Sequence, residues 1–302
     1  MRRLAAVFIF GLAAVLVAQP PADKFDQASV PLEVRATDPK LTPIVLIAGV
    51  GNQGPGEHEY FAGCALLAKL LKQTPGVWPI LVRDGWPKDE KVFDDAKCVV
   101  LFLTGGGTQP AAKPENVAML AKLAERGVGL VHLHSAIDYP RATGEILWPY
   151  LGGYWDKAIS CRSHWVADFA GFPEHPITRG VGRFQIDDGW LFVNRFLPDD
   201  AGLVPLAKVT PPEKNRTTAE AKKYPGRGET VGWAYTKPNG NRAFTFTGGH
   251  LHSSWGIESY RRFIANGVLW SAGLDIPANG APVVLAEDEL QRHMDRKPAK
   301  GK

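Results

Sequence analysis

Cysteine is scarce in this chain: Cys64, Cys98 and Cys161 are the three in 302 residues. An odd, widely spaced set excludes a disulfide framework and leaves room for at most one bridge. Cys98 opens the apolar run CVVLFL and reads as a buried thiol. Other signatures are missing outright. Thr104-Gly105-Gly106-Gly107 is glycine-rich but carries no following Lys-Ser/Thr and is not a G-x-G-x-x-G in register, which argues against a phosphate-cradling nucleotide site. No G-x-S-x-G elbow is present, which disfavours a hydrolase of that type. No basic stripe interleaved with aromatics supports nucleic-acid binding. No internal repeat occurs. The net charge of +4 lies partly at the two ends, in Arg2 and Arg3 and in the Lys-rich stretch 296–302.

What is present begins with an export signal. Residues 1–18, MRRLAAVFIFGLAAVLVA, place two arginines before an unbroken apolar run, and Pro20 and Pro21 follow. A charged start and a short apolar core read as a secretory signal peptide, too short for a comfortable membrane span. The expectation is an exported protein, periplasmic or extracellular, with no stable membrane span after cleavage. An uncleaved anchor is the alternative. Residues 19–41 read as a linker, 42–275 as the folded domain and 276–302 as a C-terminal tail with a short helix around Leu285–Met294. Hydrophobic residues at 45% and charged residues at 22% suit a globular core.

Within the domain, short β-rich runs alternate with helical periodicity. Strands are predicted at 43–48, 78–82, 98–103 and 128–134, and helices at 58–71 and 114–125. This alternation predicts an α/β fold with a mostly parallel, doubly wound sheet. Residues 150–210 read as irregular β additions of shorter strands with long loops, and 210–229 as an exposed polar excursion. A strand pair at 231–235 and 242–247 turns on Pro238-Asn239-Gly240, and a last helix covers 259–271.

Histidines collect where such a sheet keeps its ligand crevice, at strand ends. His58 and Glu59 follow the first strand. His132 and His134 are two apart, and on a strand they point to one face. His164 precedes Trp165, and His250 and His252 follow the paired Gly248 and Gly249. His132, His134, His250 and His252 are the candidate ligands for zinc or another divalent metal, although His132 reads more readily as a satisfied core histidine. Asp188, beside Asp187, is a carboxylate that could orient a histidine or act as a base. His175 precedes Pro176 and reads as a turn residue.

In order along the chain, VLIAG with His58, GLVHLHSA with His134, His164, EHPIT, DDGW and FTGGH with His250 resemble the ThuA-like, trehalose-utilisation family over residues 43–273. The resemblance implies a flavodoxin-like sheet related to class I glutamine amidotransferases. Those enzymes keep a nucleophilic cysteine in the fourth-strand elbow, G-x-C-x-G. Here His132-Leu133-His134-Ser135-Ala136 occupies that stretch, so thiolate attack on an amide is not available. The family implies breakdown of trehalose or related disaccharides, including keto-sugars. On this reading His134, His250 and Asp188 are catalytic, with His58, Glu59, His164, Trp165, Asp138 and Trp255 binding a carbohydrate. The alternative is a non-catalytic carbohydrate-binding protein, with Trp155, Trp165 and Trp255 stacking on sugar rings. The oligomeric state is left open.

Overall fold

The strands of the first half lack polar alternation because both faces of their sheet are covered. A computed structural model describes residues 23–198 and 202–298, and the expected export segment lies outside the described residues. In chain order the elements are β1 (Thr42–Ala48), α1 (Tyr60–Leu71), β2 (Val77–Val82), β3 (Cys98–Phe102), α2 (Pro114–Glu125), β4 (Gly129–Leu133), α3 (Arg141–Leu151), β5 (Gly153–Tyr154), β6 (Cys161–Phe169), β7 (Phe184–Phe192), β8 (Arg195–Phe196), β9 (Leu203–Val209), α4 (Ala219–Lys222), β10 (Glu229–Thr236), β11 (Arg242–Phe246) and α5 (Glu258–Ser271). The sheet order is β2-β1-β3-β4-β11-β10-β9. The first five strands in that order run parallel, and β10 is antiparallel to both its neighbours.

Successive residues of one strand enter opposite cores. Ile44, Leu46 and Ala48 of β1 join Leu67 of α1 and Val268 of α5. Val45 and Ile47 join Leu120 of α2 and Leu147 of α3 on the other face. Each such buried aliphatic side chain stabilises the fold by about 1.5–3 kcal/mol relative to exposure. The predicted doubly wound architecture is therefore present. No helix among the described residues is long and apolar enough to cross a membrane.

The second half departs from its sequence reading. β6 and β7 are not short: they form a nine-residue antiparallel ladder from Cys161↔Phe192 to Phe169↔Phe184. Its alternation places Trp165, Ala167, Phe169, Ile186 and Trp190 against the core, while Arg162, His164 and Val166 face outward. The stretch 210–229 is not wholly an exposed excursion either. Arg216 is buried there and its Nη1 meets Glu229 Oε1 at 2.6 Å. The first helix starts at Tyr60 rather than His58, because His58 takes a left-handed φ of 50° that no helix accepts.

The two flanking segments lie against the domain. Val30 and Leu32 pack on the core, and Ile276, Ala281 and Val283 are buried in it. The expected tail helix is a single 3₁₀ turn, Glu289–Gln291. Beyond it, Asp295 N donates to Glu59 Oε2 at 2.8 Å, and Lys297 Nζ lies 3.1 Å from Glu59 Oε1. All three cysteines are free and buried.

Candidate active site

The carboxyl ends of β1, β3, β4 and β11 open onto one crevice of ≈ 410 Å³, walled on the far side by the β6–β7 ladder. This is the edge at which open α/β sheets bind ligands. His58 comes from the loop after β1, Thr104 from the end of β3, His134 from the end of β4, and His250 from the loop after β11. His164 projects from β6. Four imidazoles that are far apart in sequence thus line one hollow.

His134 reaches it by a break in regular structure. β4 stops at Leu133, and His134 turns left-handed with φ 53°. Such a backbone costs a non-glycine residue about 1–2 kcal/mol and persists only where its surroundings hold it. The turn is tight: a Cβ on Gly105 would lie 2.3 Å from Ser135 O. The same turn separates the two histidines of the H-x-H pair. His132 stays on the α3 side of the sheet, fully buried, with Nε2 3.0 Å from Tyr139 Oη. The expectation that both would share a face fails because the strand ends between them.

The second H-x-H pair divides as well. His250 faces the crevice, whereas His252 turns away and its Nε2 donates to Leu290 O at 2.8 Å. The three imidazoles of His58, His134 and His250 form the tight cluster among the described residues. His58 Nε2 is 3.1 Å from His134 Nε2 and 2.8 Å from His250 Nδ1. His134 Nδ1 donates to the Thr247 carbonyl at 3.0 Å. His58 Nδ1 meets Asn52 Oδ1 at 2.7 Å, and the Thr104 hydroxyl donates to the same oxygen at 3.1 Å. Burial first, then the neighbouring His250 and Lys297, push the His58 imidazole down to about 3. Burial and the adjacent His58 hold His134 well below the ordinary histidine range.

Asp188 lies beneath this cluster rather than in the crevice. Its carboxylate is fully buried and accepts the backbone N–H groups of Gly189, Gly249 and His250 at 2.8 Å each and of Leu251 at 3.2 Å. Burial raises its pKa to about 6, against the pull of those four donors. It is a positioning residue for the turn that carries His250. Asp187, its neighbour, is exposed.

The remaining candidates separate by burial. Asp138 pairs with Arg162 at 2.6 Å, and burial raises its carboxyl despite that guanidinium. The Arg162 guanidinium also covers the Trp155 ring, 4.4 Å from its centre. Glu59 turns from the crevice to Lys297 and the tail. Trp165 packs tilted against Trp190 and edge-on to Phe192 inside the core, and Trp255 is fully buried beside Tyr260. Neither indole presents a face to the crevice.

Sequence reading missed Asn52, Glu57, Thr104, Arg162 and Lys297 as parts of the site. Arg162 had a signal, since it shares the outward face of β6 with His164. Lys297 had none: its place depends on how the tail folds back.

Comparison with known proteins follows the same lines. The family model described as ThuA, trehalose utilisation, matches residues 51–271. A search of curated proteins gives no match. A ThuA-like protein of Bacteroides uniformis ATCC 8492 is similar in structure, with a TM-score of 0.57 and 13% identity over 83% of this chain and 98% of that one. One from Parabacteroides merdae ATCC 43184 has a TM-score of 0.56 and 14% identity over 84% and 99%. A glutamine amidotransferase of Thermotoga maritima is more distant, with a TM-score of 0.41 and 12% identity over 76% and 98%.

Proposed function

From the premise that this chain belongs to the ThuA, trehalose-utilisation family, we propose that it is an exported enzyme acting on a disaccharide or keto-sugar by imidazole chemistry. The observation that carries the reading is the convergence of His58, His134, His164 and His250 on one crevice at the sheet edge. A neutral imidazole suits removal of a proton next to a carbonyl, and this is the step a keto-sugar offers. The C–H proton passes to a ring nitrogen, and the electron pair moves onto the carbonyl oxygen as an enolate. The exposed His164, with its ring 4.4 Å from that of His250, is placed to exchange that proton with solvent.

A glutaminase is a poor alternative. The elbow position holds His134, and Cys64 and Cys98 are buried, with their thiols pushed up by burial. Sugar-stacking alone is also less well supported, because Trp165 and Trp255 lie in the core. The apolar run of residues 4–18 behind Arg2 and Arg3 supports export.

The test is solvent exchange. Purified protein incubated in deuterium oxide with a panel of oxidised disaccharides is expected to place deuterium on the carbon beside the ketone. His134→Ala and His250→Ala are expected to lower the rate about 100-fold or more. Absence of exchange and of turnover across the panel with wild-type protein would overturn the reading.

A further inference from the structure

We propose that His58, His134 and His250 form a binding site for one divalent transition-metal ion of the zinc type, held by His58 Nε2, His134 Nε2 and His250 Nδ1. Only the sugar substrate rests on the functional reading above; the metal site stands on its own geometry.

The argument runs through where each ring keeps its proton. A neutral imidazole has one N–H and one lone pair. His134 Nδ1 faces the Thr247 carbonyl at 3.0 Å, and a carbonyl only accepts. The proton is therefore on Nδ1 and the lone pair on Nε2. His58 Nδ1 faces Asn52 Oδ1 at 2.7 Å, an oxygen already accepting from Thr104. Its lone pair is also on Nε2. The two Nε2 atoms nonetheless face each other at 3.1 Å, acceptor against acceptor. One shared cation satisfies two lone pairs held at that distance.

His250 supplies the third. Its Nε2 lies 3.9 Å from Glu57 Oε1, while its Nδ1 points at His58 Nε2 from 2.8 Å. An N–H toward the carboxylate leaves the Nδ1 lone pair facing inward. His58 and His134 turn their outer nitrogens to the Asn52 and Thr247 oxygens at hydrogen-bond distance, 2.7 and 3.0 Å, the arrangement that fixes metal-bound histidines and raises their basicity. The three donor atoms lie within 4.8 Å of one another. Tetrahedral zinc with Zn–N bonds of about 2.0–2.1 Å sets its nitrogens about 3.3 Å apart. The pairs at 3.1 and 2.8 Å need to open by about 0.2 and 0.5 Å to meet that spacing.

Three nitrogen donors and no carboxylate oxygen in the first ring of contacts select against calcium and magnesium. Three protein ligands leave a fourth position, as catalytic zinc sites do. Here that position faces the crevice, toward His164 and Arg162. A metal there would polarise a sugar carbonyl or hydroxyl oxygen, and His164 would remain to move the proton.

The test reads the metal directly. Chelator-treated full-length protein is titrated with Co²⁺ and watched for the visible absorption of a tetrahedral ion, and with Zn²⁺ by calorimetry. One equivalent is expected, with a Kd below about 1 μM. His58→Ala, His134→Ala and His250→Ala should each weaken binding at least 100-fold, while His252→Asn, outside the cluster, should keep it. Circular dichroism separates loss of ligand from loss of fold, and His250→Ala at the rim is the variant that best preserves packing. Folded wild-type protein that binds no Co²⁺ or Zn²⁺ overturns the proposal. So does binding that all three ligand variants retain. One bound equivalent without sugar exchange upholds this site and removes the functional reading; sugar exchange by protein that binds neither ion does the reverse.

Discussion

The buried carboxylate of Asp188 holds the backbone of His250, accepting its N–H at 2.8 Å and those of three neighbouring residues with it. Asp188→Asn keeps the size but turns an NH₂ group toward N–H donors. A donor left facing donors in a buried site costs about 1–3 kcal/mol, and lost charge-assisted bonds add to that. Urea unfolding is expected to show about 2–4 kcal/mol of lost stability. A change within about 0.5 kcal/mol, the range of ordinary surface substitutions, would contradict this role.

Gly189→Ala probes the crevice wall. A Cβ there would meet His164 Nε2 at 2.9 Å and His250 Cβ at 3.0 Å. Both rings must shift, at an overpacking cost of about 1–3 kcal/mol. A displacement of about 1 Å is enough to lower a rate about 100-fold. The expected outcome is a folded protein by circular dichroism with that loss in exchange rate. Full activity in the variant would show that the two imidazoles need not keep this spacing.

The Arg216–Glu229 pair should dominate the stability of its region. Both side chains are nearly inaccessible, at 1% and 5% exposure, and their atoms meet at 2.6 Å. Removing Arg216 leaves the buried Glu229 carboxylate with only the partly exposed Arg227 guanidinium, 3.1 Å away, so Arg216→Met is expected to cost about 3 kcal/mol, the low end for a broken buried pair. Combining it with Glu229→Leu should recover part of that loss. Thermal melts of the three variants measure both effects, and strictly additive losses in the double variant would argue against coupling.

Acid should loosen the His175 turn. His175 Nδ1 accepts the Ile177 N–H at 3.1 Å and caps the 3₁₀ turn Pro176–Thr178. Burial, then Arg242 and Arg179, push this imidazole down to about 4. A histidine whose folded value lies below its unfolded value near 6.5 binds its proton more readily when unfolded. Its contribution is complete above about 6.5 and is lost as pH falls toward 4. His175→Asn keeps a capping oxygen and does not titrate. Unfolding free energy measured between pH 7 and 4 is expected to fall less steeply in this variant; an unchanged slope would assign the loss to other groups.

The sheet was legible because β1, β3 and β4 are continuous apolar runs between helical periods, a pattern that needs cover on both faces. The site was legible as a set of histidines at strand ends. Which of them belong together was not. On paper His132 and His134 are a pair, and so are His250 and His252. The left-handed turn at His134 and the tail contact of His252 Nε2 divide each pair, and neither follows from residue spacing. The length of β6 and β7 was hidden because glycine and tryptophan in DDGW look like loop punctuation. Gly189 in fact sits opposite His164 across the ladder, where a side chain would crowd the crevice. Arg216 escaped notice because a buried cation is disclosed only by its distant partner.

Lys297 Nζ donates to the carbonyls of Glu57 at 2.5 Å and His58 at 3.3 Å, some 240 residues away along the chain. During synthesis, then, some 240 further residues must emerge after Glu57 before this brace can close on the loop that bears His58. The sheet can assemble vectorially as its strands emerge. The finished hollow is a late event, and a nascent product stopped before Lys297 would carry its histidines without the clasp that fixes the first of them.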